Sequence, residues 1–253
     1  MNVTLVCEES FEGIMTAVYD GWVLMNQGHQ VSIHPGTGYT PSFFSEFMTI
    51  ETNVKKAEKV AKSIQVKVSM EAYTMVFRAC MHYADDRADA VFNFLKVAYP
   101  AGARVVKMLG NPAVMRVTEL SRKVANETHM FKEFVRFTEL KGNVLFSKIE
   151  PKCDVLLLLS YHFQQRFPEE KWIIYDTKRI KASVHPVKGE CILIKDRNME
   201  ELTKGMQNGQ EYEALWQVFF DTIGIEERYN PKCQRTMMPL WYRKNATEFT
   251  RKQ

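Results

Sequence analysis

The five cysteines of this 253-residue chain, Cys7, Cys80, Cys153, Cys191 and Cys233, stand far apart. No two form a CxxC pair, so a zinc ribbon or a cysteine-ligated iron–sulfur cluster has no support. The chain also lacks a P-loop, a glycine-rich dinucleotide fingerprint, a G-x-S-x-G nucleophile turn and an H-E-x-x-H metal pair. No apolar run approaches the ~18 residues of a membrane span, and the first residues carry no charged-then-apolar signal pattern. These absences predict a reduced, cytoplasmic protein with no membrane segment, no metal and no cofactor of its own. Charge of one sign is scarce too. The net charge is only +4, short of the strongly basic balance of a dedicated nucleic-acid binder.

What is present is an ordinary globular composition, 45% hydrophobic and 25% charged, in a chain long enough to bury a real core. Fourteen methionines suit an adaptable core better than a metal site. Asn2–Cys7 reads as a first strand, followed by Ser10 as the N-cap of a helix with Gly13 just inside it. Residues 29–34 and 48–51 read as weaker strands, and a lysine-bearing helix with Val60 and Ile64 inward follows Asn53. The middle is helical, over 71–83, 87–97 and a longer stretch opened by Asn111-Pro112. The second half predicts strands over 134–140 and 143–150, turning at Lys141-Gly142, then a helix over 151–167. Further strands follow over 172–176, 182–187 and 190–195, the last pair turning at Lys188-Gly189, and an apolar helix over 211–227. The class is α+β: a helical middle, with an antiparallel sheet and packed helices in the C-terminal half. One domain over 1–253 is expected, and any division into sub-domains 1–105 and 111–253 falls in the Pro100–Asn111 connection.

The densest chemistry lies between His129 and Arg179 and in the tail. From Arg228 onward the bases Arg228, Lys232, Arg235, Arg243, Lys244, Arg251 and Lys252 face a single acid, Glu248. Trp241 and Tyr242 stand among them, so this tail can follow a phosphate backbone while its rings stack on bases or anchor it to the core. Arg136 is expected on a strand face with Phe134, either holding a phosphate or pairing with Glu150 on the neighbouring strand. His162 and Arg166, one helical turn apart, share a face. Asp176 closes the apolar strand Trp172–Tyr175, and with Glu150 and His162 it offers the groups of an acid/base pair. Glu8, Glu9 and Glu12 suit the N-terminus of the helix that follows them.

Several short pieces together resemble a known family. They are Ser10-Phe11-Glu12-Gly13, His129 through Phe134-Val135-Arg136-Phe137, Ile149-Glu150-Pro151, His162-Phe163 with Arg166, Trp172-Ile173-Ile174-Tyr175-Asp176, and Glu227-Arg228-Tyr229-Asn230-Pro231 with Gln234, Met237 and Pro239. Over nearly its whole length the chain is similar to an uncharacterised bacterial family assigned to DNA metabolism or DNA repair. Members of that family usually occur beside a radical S-adenosylmethionine protein, and the domain is also found joined to uracil-DNA glycosylase-like modules. The family carries an acidic residue then Gly before the Ser-Phe-Glu-Gly box, whereas here Glu8 is followed by Glu9. The resemblance implies a DNA-related role and a radical-enzyme partner, but no reaction.

The leading expectation is a DNA repair or modification accessory protein that holds DNA or a damaged nucleotide for that partner. Its DNA-binding residues would be Arg136, Arg166, Arg228, Lys232, Arg235, Trp241, Arg243 and Lys244. The alternatives are an enzyme acting on a nucleobase or nucleotide through Glu150, Asp176 and His162, and a structural partner that never touches DNA. Arg136, His162, Arg166 and Asp176 are expected to converge on one pocket.

Overall fold

Strand β1, Asn2–Cys7, is the middle of a three-stranded parallel sheet of order β2-β1-β3, with β2 at Gln30–Pro35 and β3 at Ser45–Thr49. Its β-branched and leucine side chains explain the position, because Val3, Leu5 and Val6 are nearly or wholly buried. The computed structural model describes residues 2–36, 45–140, 142–195, 230–246 and 249. The chain divides into two units: Met1–Asn126 with Lys152–Asp154, and Glu127–Pro151 with Val155–Gln253.

In the first unit, local capping chemistry sets the helices. The Ser10 hydroxyl accepts the Gly13 N–H at 3.1 Å and opens α1, Phe11–Asn26. A Cβ on Gly13 would lie 2.5 Å from the Glu8 carbonyl oxygen, so only glycine fits the sharp passage from β1 into α1. Asn53 caps α2, Val54–Lys67, by accepting the Lys56 N–H at 3.1 Å, and the helix turns Ala57, Val60 and Ile64 inward. Ser69 does the same for α3, Met70–Cys80, and α4 runs from Arg87 to Ala101. The Asn111 side chain accepts the Ala113 N–H at 3.0 Å at the start of α5, Pro112–Phe134.

Two expectations change here. The Pro100–Asn111 connection is not a loose tie: α4 continues through Pro100, Gly102 reverses the chain with φ +62°, and a 3-10 helix follows over Gly102–Lys107 with Val105 fully buried. The units instead divide between Asn126 and Glu127, inside α5. The strand expected over 134–140 is also shorter. Helix α5 extends to Phe134 and the strand β4 covers only Thr138–Leu140, so Arg136 lies between them on no strand face.

The second unit holds a five-stranded sheet in sequence order: β4, β5 (Val144–Ile149), β6 (Lys171–Asp176), β7 (Lys181–His185) and β8 (Ile192–Lys195). It is mixed rather than antiparallel. Helix α6, Leu156–Arg166, carries the chain back between β5 and β6, and a crossover of that length makes the two strands run parallel. The other three pairings are antiparallel. Helix α6 lies over the sheet face that carries Trp172, Ile174 and Ser183: the Phe163 ring meets Trp172, and the Ser160 and Ser183 hydroxyls bond at 2.7 Å. The opposite face gathers Leu140, Phe146, Tyr175 and Ala182.

The tail contributes α7, Pro231–Met237, and α8, Leu240–Arg243. The helix expected over 211–227 lies outside the described residues, as does Arg228. The architecture is α+β, and among the described residues no helix is long and apolar enough to cross a membrane.

Candidate nucleic-acid interface

Glu150, the residue just after β5, organises the tail. Its carbonyl oxygen accepts the Trp241 indole N–H at 3.0 Å, and its carboxylate pairs with the Lys244 ammonium. Beside it, the ring of Tyr242 sits between Phe131 and Phe134 of α5, with centroids 5.0 and 6.1 Å away. Phe131 and Phe134 are one helical turn apart, so α5 presents both rings on one side. With Arg136, Lys148, Ile149 and Asn245 these residues line a crevice of about 10 Å³. That is room for about one water molecule, so no base enters it while the tail is seated.

The outer surface of the tail is different. Trp241 is 45% exposed although its N–H is fixed, and Met237 and Leu240 beside it are 69% and 64% exposed. Lys232 and Arg235 are exposed on α7, with the Arg235 Nε donating to the Pro231 carbonyl at 3.1 Å. Arg243 is less available, since its Nε donates to the Met238 carbonyl at 3.0 Å and its guanidinium lies over the Phe249 ring. Arg136 closes the C-terminal end of α5: its Nη1 donates to the Glu133 carbonyl at 2.8 Å and the Val135 carbonyl at 3.3 Å, where a cation meets the helix dipole favourably.

The two carboxylates named from the sequence end neighbouring parallel strands, since Ile149 stands in register with Asp176. Their surroundings differ. Asp176 is fully buried, and its Oδ1 accepts the Lys178 and Arg179 N–H groups at 3.0 and 3.2 Å. Its Oδ2 meets the Arg179 Nη1 at 3.0 Å, and the same nitrogen donates to the Pro151 carbonyl at 3.2 Å. This arrangement fastens the β6–β7 turn to the end of β5. His162, on α6, rests edge-on against Phe163 at 5.0 Å. Burial lowers its pKa, and the nearby charges of Lys132 and Arg166 lower it further. Arg166 is exposed. Of the four residues expected in one pocket, only Arg136 lines the crevice; His162, Arg166 and Asp176 do not.

Sequence reasoning missed the Phe131–Phe134 grip on Tyr242, and the only signal for it was the i, i+3 spacing of two aromatic residues. It also missed the ion pair in the first unit between the buried Arg87 guanidinium and the largely exposed Glu9 carboxylate, 3.1 Å apart. Gly36 stands beside Glu9 with φ +78°, a conformation that favours glycine, and a Cβ there would fall 2.6 Å from Glu9 Oε1, the movable end of an exposed side chain. Burial pushes the Cys7 thiol up to about 12 and the Cys80 thiol up as well. Among the described residues no group of His, Cys, Asp and Glu could hold a metal ion.

The fold and this surface define an α+β protein with an aromatic and basic C-terminal face. A family model described as a domain of unknown function, DUF4130, matches residues 85–248, well over half of the chain. The chain belongs to that family. No curated protein matches it. Among solved structures, a Methanococcus jannaschii protein described as a family II inorganic pyrophosphatase aligns at 9% identity over 81% of this chain and 99% of its own, with a TM-score of 0.17. That score is too low to carry a relationship of fold.

Proposed function

We propose that the protein is a DNA-binding accessory factor that presents DNA or a damaged nucleotide to a radical S-adenosylmethionine partner. The partner would carry the iron–sulfur cluster, for which this chain has no ligand motif. The observation that carries the reading is Trp241, whose indole N–H is fixed on Glu150 while 45% of the residue stays exposed. A flat ring held in place, with exposed Lys232 and Arg235 nearby in sequence, is the combination that single-stranded nucleic acid uses: stacking on the ring and charge along the backbone. The family resemblance supports the DNA-related role and the radical-enzyme partner.

The test is the salt dependence of DNA binding. Each neutralised phosphate contributes a log–log slope of roughly −0.7 to −0.9, so replacing Lys232 and Arg235 together by Ala should flatten the slope by about 1.4 to 1.8. Trp241→Ala should weaken single-stranded DNA by about 1–3 kcal/mol while leaving the slope unchanged. A Lys232/Arg235 double variant with native circular dichroism and an unaltered slope would refute the proposal.

A further inference from the structure

We propose that the groove between α1 and α2 in the first unit is a second binding site, for a nucleoside monophosphate. The cavity measures about 610 Å³, within the range of roughly 300–1,000 Å³ typical of small-molecule sites. It arises from helical periodicity. Tyr19, Trp22 and Asn26 fall on one side of α1, Lys59, Ser63 and Lys67 recur every four residues along α2, and Tyr99 of α4 completes the lining.

Two features make this a built site rather than a gap. The rings are locked: Trp22 stands edge-to-face with Phe92 at 5.7 Å and with Tyr99 at 5.2 Å. Tyr99 in turn donates its hydroxyl proton to Ser63 Oγ at 3.1 Å, which leaves the Ser63 proton to donate to a ligand. A fixed aromatic wall binds a flat ring at low entropic cost. The charge is also one-sided. Lys56, nearer the start of α2, is neutralised by Asp20 at 2.6 Å, whereas Lys59 and Lys67 pair with no carboxylate among the described residues, and no acidic residue lines the cavity.

A ligand with a flat apolar body and a compact anion satisfies both halves, with its ring against Trp22 and Tyr19 and its phosphate on the two ammonium groups. Ring faces accept every base alike, so the site should not discriminate strongly among the four bases. This inference is independent of the tail: it uses other residues and a different unit.

Isothermal titration of the full chain at low salt with AMP, GMP, CMP and UMP tests it, with adenosine and inorganic phosphate as controls. The monophosphates should bind more tightly than either control, and the surface double variant Lys59→Gln, Lys67→Gln should lose at least about tenfold in affinity, as the removal of two charge-assisted contacts requires. The variant Lys232→Ala, Arg235→Ala should bind as the native chain does. The proposal is overturned if none of the four monophosphates binds at millimolar concentration, if adenosine binds equally well, or if affinity falls only in the tail variant.

Discussion

Asp176→Asn changes one oxygen to an amide nitrogen in a fully buried side chain, and it separates a structural carboxylate from a catalytic one. The Asn oxygen can still accept the Lys178 and Arg179 N–H groups, but without charge, and charge-assisted bonds are about twice as strong as neutral ones. The amide NH₂ then faces the Arg179 guanidinium, so the 3.0 Å ion pair is replaced by two donors. Losing a hydrogen bond to a charged group costs about 1.5–3 kcal/mol. Arg179 keeps its bond to the Pro151 carbonyl and is 23% exposed, which holds the loss below the full cost of stranding a buried charge. The expected destabilisation is about 2–4 kcal/mol, read as a lower urea midpoint at unchanged m-value. Asp176→Ala should cost more, and a double-mutant cycle with Arg179→Gln should show coupling of about 1–3 kcal/mol. An Asp176→Asn protein within ~0.5 kcal/mol of the native one would refute this reasoning, because a carboxylate freed from structural duty is what the enzymatic alternative requires.

Gly13→Ala places a methyl group 2.5 Å from the Glu8 carbonyl oxygen; it should destabilise the first unit by about 1–3 kcal/mol, visible as a lower thermal midpoint. An unchanged midpoint would mean that the β1–α1 passage relaxes freely. His162 should titrate below its ordinary value of 6.5 by NMR, and its midpoint should rise with salt and in Arg166→Gln as a neighbouring positive charge is screened or removed. Since the unfolded chain then binds the proton more readily, the contribution of His162 to stability is complete above about pH 6.5 and is lost as pH falls through the folded midpoint. His162→Gln should accordingly lessen the acid-side loss of stability, and a titration midpoint above 6.5 would contradict the environment described.

Features set by adjacent residues were legible. Ser10, Asn53 and the Asn111-Pro112 pair mark helix starts because a cap needs only a side chain within three residues of the N–H it satisfies. The turn between β4 and β5 was legible for the same reason, as Gly142 and Asn143 both take positive φ. The direction of β6 was not. Its alternation is the same whether it pairs parallel or antiparallel, and only the crossover by α6 decides. Phe134 was misread because its aromatic run satisfies a strand pattern as well as a helix end, and packing on Tyr242 decides between them. The anchoring of the tail on Glu150 spans 91 and 94 residues, a separation at which local patterns carry no information. At Asp176 the local pattern held more than one reading. A carboxylate at a strand end suggested chemistry, yet its Oδ1 bonds to the N–H groups of Lys178 and Arg179 are a local turn motif that the sequence already contained.

Because the chain passes between its two units at 126/127, 151/152 and 154/155, the first of these inside a helix, neither unit is a single stretch of sequence. The short return of Lys152–Asp154 is firmly held: Cys153 is 1% exposed, and the Asp154 N–H donates to the Met81 carbonyl at 2.8 Å. A protease acting at 126/127 therefore meets a helix rather than an open loop. Cleavage at 126/127 would first require unwinding α5, and a single cut there would leave Lys152–Asp154 on the wrong fragment. Gene truncation faces the same topology, so any attempt to express the halves separately has to restore that three-residue segment to the N-terminal piece or accept a hole where Cys153 was.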